Sequence, residues 1–242
     1  MKTIEICFTP QLYESRQTDL QHIAVVIDVL RATTAITTAI NYGAKGIIPI
    51  KELSDLKKMK ENGYLIASER DGLKVDFADF GNSPLSFMDR KEEIDDKVIA
   101  YSTTNGTKAI EAAMQHSPTA IVLGAYTNKD KLVEYLLEQN QNVVFICSGW
   151  KSQFGIEDAV VAGAFCQQLT DNGKFINICD SSKAALNLWD IAKDNLITYL
   201  ENSSHSQRLK NIGLEKDIEF CLTENTTPIV PIYEDGIIKK LK

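Results

Sequence analysis

Asp28-Val-Leu-Arg-Ala-Thr-Thr34 sets a carboxylate at the end of an apolar run, an arginine three positions on, and two hydroxyls where a helix would begin. A helix N-terminus offers free N–H groups and a partial positive charge, so with Arg31 and Thr33 or Thr34 this segment makes a cradle for an anion. Asp28 is then available to hold a cation. The same residues also read as plain architecture, with Thr33 as an N-cap and Asp28 bridged to Arg31.

Three further stretches carry groups of the same kind. Ser102-Thr-Thr-Asn-Gly-Thr107 can wrap an oxyanion with the side chains of Thr103, Thr104, Asn105 and Thr107 and the backbone at Gly106, although it lacks the lysine of a nucleotide P-loop. Ser68-Glu-Arg-Asp-Gly72 offers Glu69 and Arg70, and the turn Gly81-Asn-Ser-Pro84 offers Asn82 and Ser83 as donors or acceptors. Cys147-Ser-Gly-Trp150 and Phe154-Gly-Ile-Glu-Asp158 bring a thiol, a tight turn at Gly149 and the paired acids Glu157 and Asp158 to a helix start. Acids are favoured there by the macrodipole without any catalytic purpose. Together, Asp28, Glu69, Glu157 and Asp158 make an oxygen-rich set that suits Mg²⁺ better than zinc or copper. Cys147 has no neighbouring histidine and reads more readily as a small buried residue than as a nucleophile. His22, His116 and His205 form no recognisable pair or triad.

Such loops need a scaffold that brings them together. Short β-branched runs alternate with helical spacing, as in βα units around a parallel sheet. Strands are expected at Glu5–Phe8, Ala24–Ile27, Gly46–Ile50, Tyr64–Ala67, Val98–Ser102, Ala120–Gly124, Asn142–Cys147, Phe175–Ile178 and Pro228–Tyr233. Helices are expected at Thr33–Tyr42, Leu53–Asn62, Thr107–His116, Lys129–Asn140, Glu157–Thr170, Ser182–Asn202, Ser204–Ile212 and Leu214–Thr223. The expected fold is α/β, a layered α/β/α arrangement of repeated βαβ units on a largely parallel or mixed sheet, with a helical C-terminal part. No linker-like tract divides the chain, so residues 1–242 are expected to form one domain.

The chain also echoes itself. A shift of 74 positions lays Ala24–Arg31 on Val98–Asn105, and it matches Thr33 with Thr107, Ala35 with Ala109 and Ile47-Ile48 with Ile121-Val122. Parallel strands send their carboxyl ends to one edge of a sheet, where ligands of open α/β folds bind. The loops 28–34, 102–107 and 147–158 are therefore expected to meet.

Composition narrows the partners. With 26 Lys and Arg against 33 Asp and Glu, the net charge of −7 argues against nucleic acid, which needs a basic face. A small anionic phosphorylated substrate needs only a few converging positive groups. Five cysteines without a C-x-x-C pair suggest reduced thiols, and neither a signal sequence nor an apolar run of ~20 residues is present, so a cytoplasmic protein without a membrane partner is expected. The sequence leaves room for a homodimer.

Taken in order, the loops closely resemble the 2-phosphosulfolactate phosphatase family. The resemblance runs through Val25–Thr33, Glu69-Arg70 with Gly72, Phe80–Pro84, Thr103–Thr107, and Cys147-Ser-Gly149 with Phe154 and Glu157-Asp158. It continues through His205–Leu209, Gly213, Asp217–Cys221, Val230-Pro231 and Asp235-Gly236, which is nearly the whole chain. It implies a Mg²⁺-dependent phosphatase that converts 2-phosphosulfolactate to sulfolactate and phosphate on the route to coenzyme M. One departure stands out: where the family usually has Gly-Glu-Arg-Gly-Gly, this chain has Ser68-Glu-Arg-Asp-Gly72, which adds a negative charge at Asp71. The chemistry expected from the residues places Mg²⁺ on Asp28 with Glu69, Glu157 or Asp158, transition-state charge on Arg31 and Thr103–Thr107, and a second anion on Arg70, Asn82 and Ser83. A phosphatase for another small phosphorylated hydroxy acid and a non-catalytic binder of anionic metabolites are the alternatives.

Overall fold

The computed structural model describes residues 1–17, 20–151 and 153–241. Its strands are β1 Lys2–Cys7, β2 His22–Ile27, β3 Gly46–Pro49, β4 Leu65–Arg70, β5 Leu73–Lys74, β6 Val98–Ser102, β7 Ala120–Gly124, β8 Asn142–Cys147, β9 Phe175–Asn177, β10 Pro231–Glu234 and β11 Ile237–Lys240. The helices are α1 Pro10–Glu14, α2 Ala32–Asn41, α3 Leu53–Glu61, α4 Pro84–Asp89, α5 Lys91–Ile94, α6 Gly106–Met114, α7 Lys129–Gln139, α8 Ile156–Asp171, α9 Asp180–Ala192, α10 Leu196–Leu200, α11 Ser204–Lys210 and α12 Glu215–Cys221.

All eleven strands join one mixed sheet in the order β5-β4-β6-β3-β11-β10-β7-β2-β8-β1-β9. Successive side chains of a strand point to opposite faces, and β2 shows the consequence. Ile23, Val25 and Ile27 enter a core with α7, α8 and the C-terminal helices, whereas Ala24 and Val26 enter a second core with α2 and α6. The expected α/β/α layering is therefore present.

The sheet is not parallel throughout. β4, β6 and β3 form one parallel block, and β7, β2, β8, β1 and β9 form another. The antiparallel hairpin β10–β11 lies between them and pairs with β7 on one side and β3 on the other, so the two blocks run in opposite senses. Here the expectation of a single shared edge fails. β11 is also unexpected, although its signal is present in the sequence: Asp235 and Gly236 both have positive φ, the Asp-Gly hairpin turn that suits the twist of flanking strands.

The strand order reads the same from both sides of that hairpin. β2-α2-β3-α3-β4 and β6-α6-β7-α7-β8 have the same succession of elements, and each lends its first strand to the other. β6 lies between β3 and β4, and β2 lies between β7 and β8. The echo at a spacing of 74 is thus a pseudo-two-fold relation with its axis between β10 and β11. A flat sheet would put the carboxyl ends of β2 and β6 at opposite edges. A twist of roughly 20–25° per strand, accumulated over the five steps between them, turns these ends toward each other.

Helix α2 shows why burial decides over propensity. Its sequence, ATTAITTAIN, is rich in β-branched residues that disfavour helices, yet positions 32–40 are all buried. The hydroxyls of Thr37 and Thr38 donate to the carbonyls of Thr33 and Thr34 one turn back, at 2.6 and 2.8 Å, so no polar group is stranded. Farther on, the expected helix over 182–202 is broken, because Asn195 caps a new helix by accepting the Thr198 N–H at 3.0 Å.

Candidate active site

The N-termini of α2 and α6 meet at the pseudo-two-fold axis. Gly106 opens α6 and Ala32 opens α2, so the two are related by the same shift of 74, and a Cβ on Gly106 would lie 2.6 Å from the Cβ of Ala32. The same Cβ would be 3.1 Å from Thr103 Oγ1 and 3.2 Å from Asp28 Oδ2. A residue larger than glycine would fill the space between the two helix starts. Beside it opens a cleft whose walls include Asp28, Arg31, Glu69, Asp71, Asn82, Thr104, Asn105, Trp150, His205 and Arg208.

The residues foreseen from sequence divide into those at the cleft and those behind it. Asp28, at the end of β2, accepts the Ala32 N–H on Oδ1 at 3.2 Å. Burial is the largest influence on its carboxyl and pushes its pKa up to about 6, against the opposing pull of His205 and the Ala32 N–H. Thr103 and Thr104 have hydroxyls that are buried with no hydrogen-bond partner among the described residues. Such groups cost stability unless a ligand or water satisfies them. Asn105 ties the loop to its neighbour by accepting the Lys151 N–H at 3.0 Å.

Other foreseen residues build the cleft without offering it free groups. Glu69 accepts the Gly72 N–H at 2.7 Å and the Thr104 N–H at 2.8 Å, which joins the loops after β4 and β6. Asp158 likewise accepts the Val29 N–H at 2.9 Å and the Gly149 N–H at 3.0 Å, and burial, with the Glu157 and Asp28 charges, raises its pKa well above the usual carboxylate range. The hydroxyls of Thr33, Thr34 and Thr107 donate back to the carbonyls of Asp28, Val29 and Thr103. Gly149 adopts positive φ in a turn where a Cβ would come within 2.1 Å of the Gln153 carbonyl oxygen. Cys147 is fully buried, and burial raises its thiol well above the ordinary range, which keeps it protonated and unreactive.

Three assignments change in space. Arg31 is neither free nor bridged to Asp28: Nη1 donates to Asp217 Oδ2 at 2.5 Å and Nη2 to the Gly72 carbonyl at 2.9 Å. Asp217 then takes the Ser83 hydroxyl on Oδ1 at 2.7 Å, while Asn82 accepts from the Tyr101 hydroxyl. Arg70 faces β6, donating to Ser102 Oγ at 2.9 Å and to the carbonyl oxygen of Glu69 at 2.6 Å. Arg70 and Ser83 are therefore committed to the protein itself, whereas Asn82 spends its amide oxygen on Tyr101 and still lines the cleft.

Two groups join the site that were not among the residues expected to act in it. His205, on α11, contacts Glu157 Oε1 through Nδ1 at 2.7 Å. Burial alone would raise the Glu157 pKa, but the hydrogen bond and charge of His205 outweigh it and hold the carboxyl below its usual value. An ionised Glu157 can only accept, so His205 Nδ1 carries the proton, and the other ring nitrogen is left for the cleft that His205 lines. Asp71, the departure from the family pattern, also lines the cleft. Its charge is met by Lys151 Nζ at 2.8 Å, and its φ of 52° is the backbone conformation that glycine adopts most readily.

Among the described residues, no group of three or more His, Cys, Asp or Glu side chains is arranged to hold a metal ion. Of the four carboxylates foreseen as ligands, Glu69 and Asp158 use both oxygens on backbone N–H groups, and Glu157 binds His205. Asp28 Oδ2 remains, close to the unpartnered Thr103 hydroxyl. This donor set fits a Mg²⁺ that keeps several waters and takes substrate oxygens, and does not fit an all-protein cage.

Comparison with known proteins agrees with the cleft. A family model described as 2-phosphosulpholactate phosphatase matches residues 7–236. The chain is 38% identical over 214 residues to a probable 2-phosphosulfolactate phosphatase of Thermotoga petrophila, covering 88% of this chain and 90% of that one. A protein of the same description from Clostridium beijerinckii is 32% identical over 242 residues, covering 98% and 99%. With the α/β/α fold, these matches define a phosphoric monoester hydrolase. The chain belongs to the 2-phosphosulpholactate phosphatase family.

Proposed function

We propose that the protein hydrolyses 2-phosphosulfolactate to sulfolactate and phosphate with Mg²⁺, as a step toward coenzyme M. The observation that carries this reading is the meeting of two helix N-termini beside Asp28 and the unpartnered Thr103 and Thr104 hydroxyls. The start of α6 and the two hydroxyls suit a phosphoryl group, whose charge spreads over three oxygens in the transition state, while the first N–H groups of α2 hold Asp28 in place beside them. The names of the relatives support the same substrate.

Arg31, locked by Asp217 and the Gly72 carbonyl, fixes the cleft wall by tying the loop after β2 to α12 and to the turn after β4. His205, oriented by Glu157, takes a proton from the attacking water or returns one to the departing alkoxide. Mg²⁺ held by Asp28 would supply further charge neutralisation when bound. Cys147, buried and protonated, is no nucleophile, and water is favoured over Asp28, the other side chain that could attack by way of an aspartyl phosphate. In keeping with a dissolved small-molecule substrate, no helix among the described residues is long and apolar enough to cross a membrane.

Phosphate release from 2-phosphosulfolactate, phospholactate and phosphoglycerate, with Mg²⁺ and with EDTA, tests this. Magnesium-dependent turnover fastest on phosphosulfolactate is expected. Preference for another member would leave a phosphatase with a different substrate, and binding without any phosphate release would reduce the protein to a metabolite binder.

A further inference from the structure

The chain has five arginines, and four are committed to protein acceptors. Arg16 is held by Glu5, Arg31 by Asp217, Arg70 by Ser102, and Arg90 by Glu93. Arg208 differs. Its guanidinium lies 3.9 Å over the Trp150 ring, and among the described residues no carboxylate lies within ion-pair distance of it. It is half-buried on the wall of the cleft that holds Asp28 and Thr104, and it borders a second cavity with Glu157 and His205. Burial, its largest influence, lowers its pKa despite Glu157 and Asp71 nearby. A partly desolvated cation without an acceptor is costly unless an anion arrives to pair with it.

We propose that Arg208, held flat against Trp150, is the subsite for the sulfonate of the substrate and thereby sets the preference for sulfonated over unsubstituted phosphohydroxy acids. This rests on the reading of the cleft given above. The substrate has three anionic groups, and the start of α6 serves the phosphoryl group. Arg31 and Arg70 are occupied, and the ammonium of Lys151 is spent on Asp71. Arg208 is thus the guanidinium left to meet a second anion. A sulfonate stays ionised through partial burial, and its diffuse, weakly hydrated charge matches a weakly hydrated guanidinium stacked on an indole. Leu209 and Ile212 add apolar surface to the same cleft wall.

The test compares phosphosulfolactate with phospholactate, which keeps the carboxylate and phosphate and lacks the sulfonate. Arg208→Met should lower kcat/KM for phosphosulfolactate about 10- to 100-fold more than for phospholactate, chiefly through KM, with Arg208→Lys intermediate. Parallel losses on both substrates, or none, would overturn the proposal. A binding arm works independently of turnover: sulfolactate should raise the melting temperature of the wild type more than lactate does, and Arg208→Met should remove most of that difference, with Arg208→Lys intermediate. Absence of phosphate release by the wild type removes the catalytic reading, whereas an unchanged sulfolactate shift in the variant removes this one.

Discussion

Ala32 and Gly106 stand 74 residues apart in the chain and touch in the fold, each as the first residue of a helix aimed at one cleft. Their contact lies on the pseudo-two-fold axis that relates the two βαβαβ units. The candidate cleft is therefore made by symmetry, with matching loops supplying Asp28 from one unit and Thr103 from the other.

Gly106→Ala should disturb both stability and function. The new methyl would meet the Ala32 methyl at 2.6 Å and crowd Asp28 Oδ2 and Thr103 Oγ1, so one helix start must shift. Overpacking of this kind costs about 1–3 kcal/mol. Thermal melts should fall by several degrees, and kcat should drop more than the melt alone explains. Unchanged kcat would show that the helix junction does not hold the phosphoryl group.

Asp28→Asn should abolish turnover while raising stability at neutral pH. The folded pKa of about 6 lies above the unfolded carboxylate value, so the folded state binds the proton more tightly. Stability attributable to this group is greatest below the unfolded pKa, falls as pH rises through about 4 to 6, and stays low above that window. The variant should gain about 3 kcal/mol at pH 7.5, roughly 6–12 °C in melting temperature, and lose most of that advantage near pH 4. Retained activity in a folded variant would remove Asp28 from the mechanism.

Asp217→Ala should strand the buried guanidinium of Arg31 and release Ser83. Removing one partner of a buried pair typically costs about 3–5 kcal/mol. Chemical denaturation should show the loss at the midpoint without a change of slope. The double variant Asp217→Ala with Arg31→Met should recover part of it, because no charge is then left unpaired.

Lys151→Ala should expose the Asp71 charge to an incoming polyanion. The pair at 2.8 Å is solvent-accessible, so its loss should leave the melting temperature within about 1 °C. KM should rise several-fold at low ionic strength and converge on the wild-type value in high salt. Adding Asp71→Gly to the variant should restore KM.

Much of the scaffold was legible from periodicity. β6, β7 and β8 have the bounds expected of them, because buried strands with polar ends announce themselves locally. The short elements α1, α4, α5 and β5 were not legible, since too few residues carry a pattern. The opposite sense of the two blocks was hidden because it depends on a hairpin inserted from the far end of the chain, whose Asp235-Gly236 turn was the one available clue.

By itself, the sequence determined the α/β class, the family, the 74-residue echo and the three loops that carry polar groups, since each rests on residue type and spacing along the chain. Only the tertiary structure decided what those polar groups do. Arg31, Arg70, Glu69 and Asp158 looked alike as candidates for chemistry, but a guanidinium or carboxylate takes its role from the partners it finds. Asp217, Ser102 and the backbone N–H groups that occupy these side chains lie up to 186 positions away. His205 and Arg208 emerged for the same reason. Glu157 and Trp150 give them their orientation, and neither partner adjoins them in sequence.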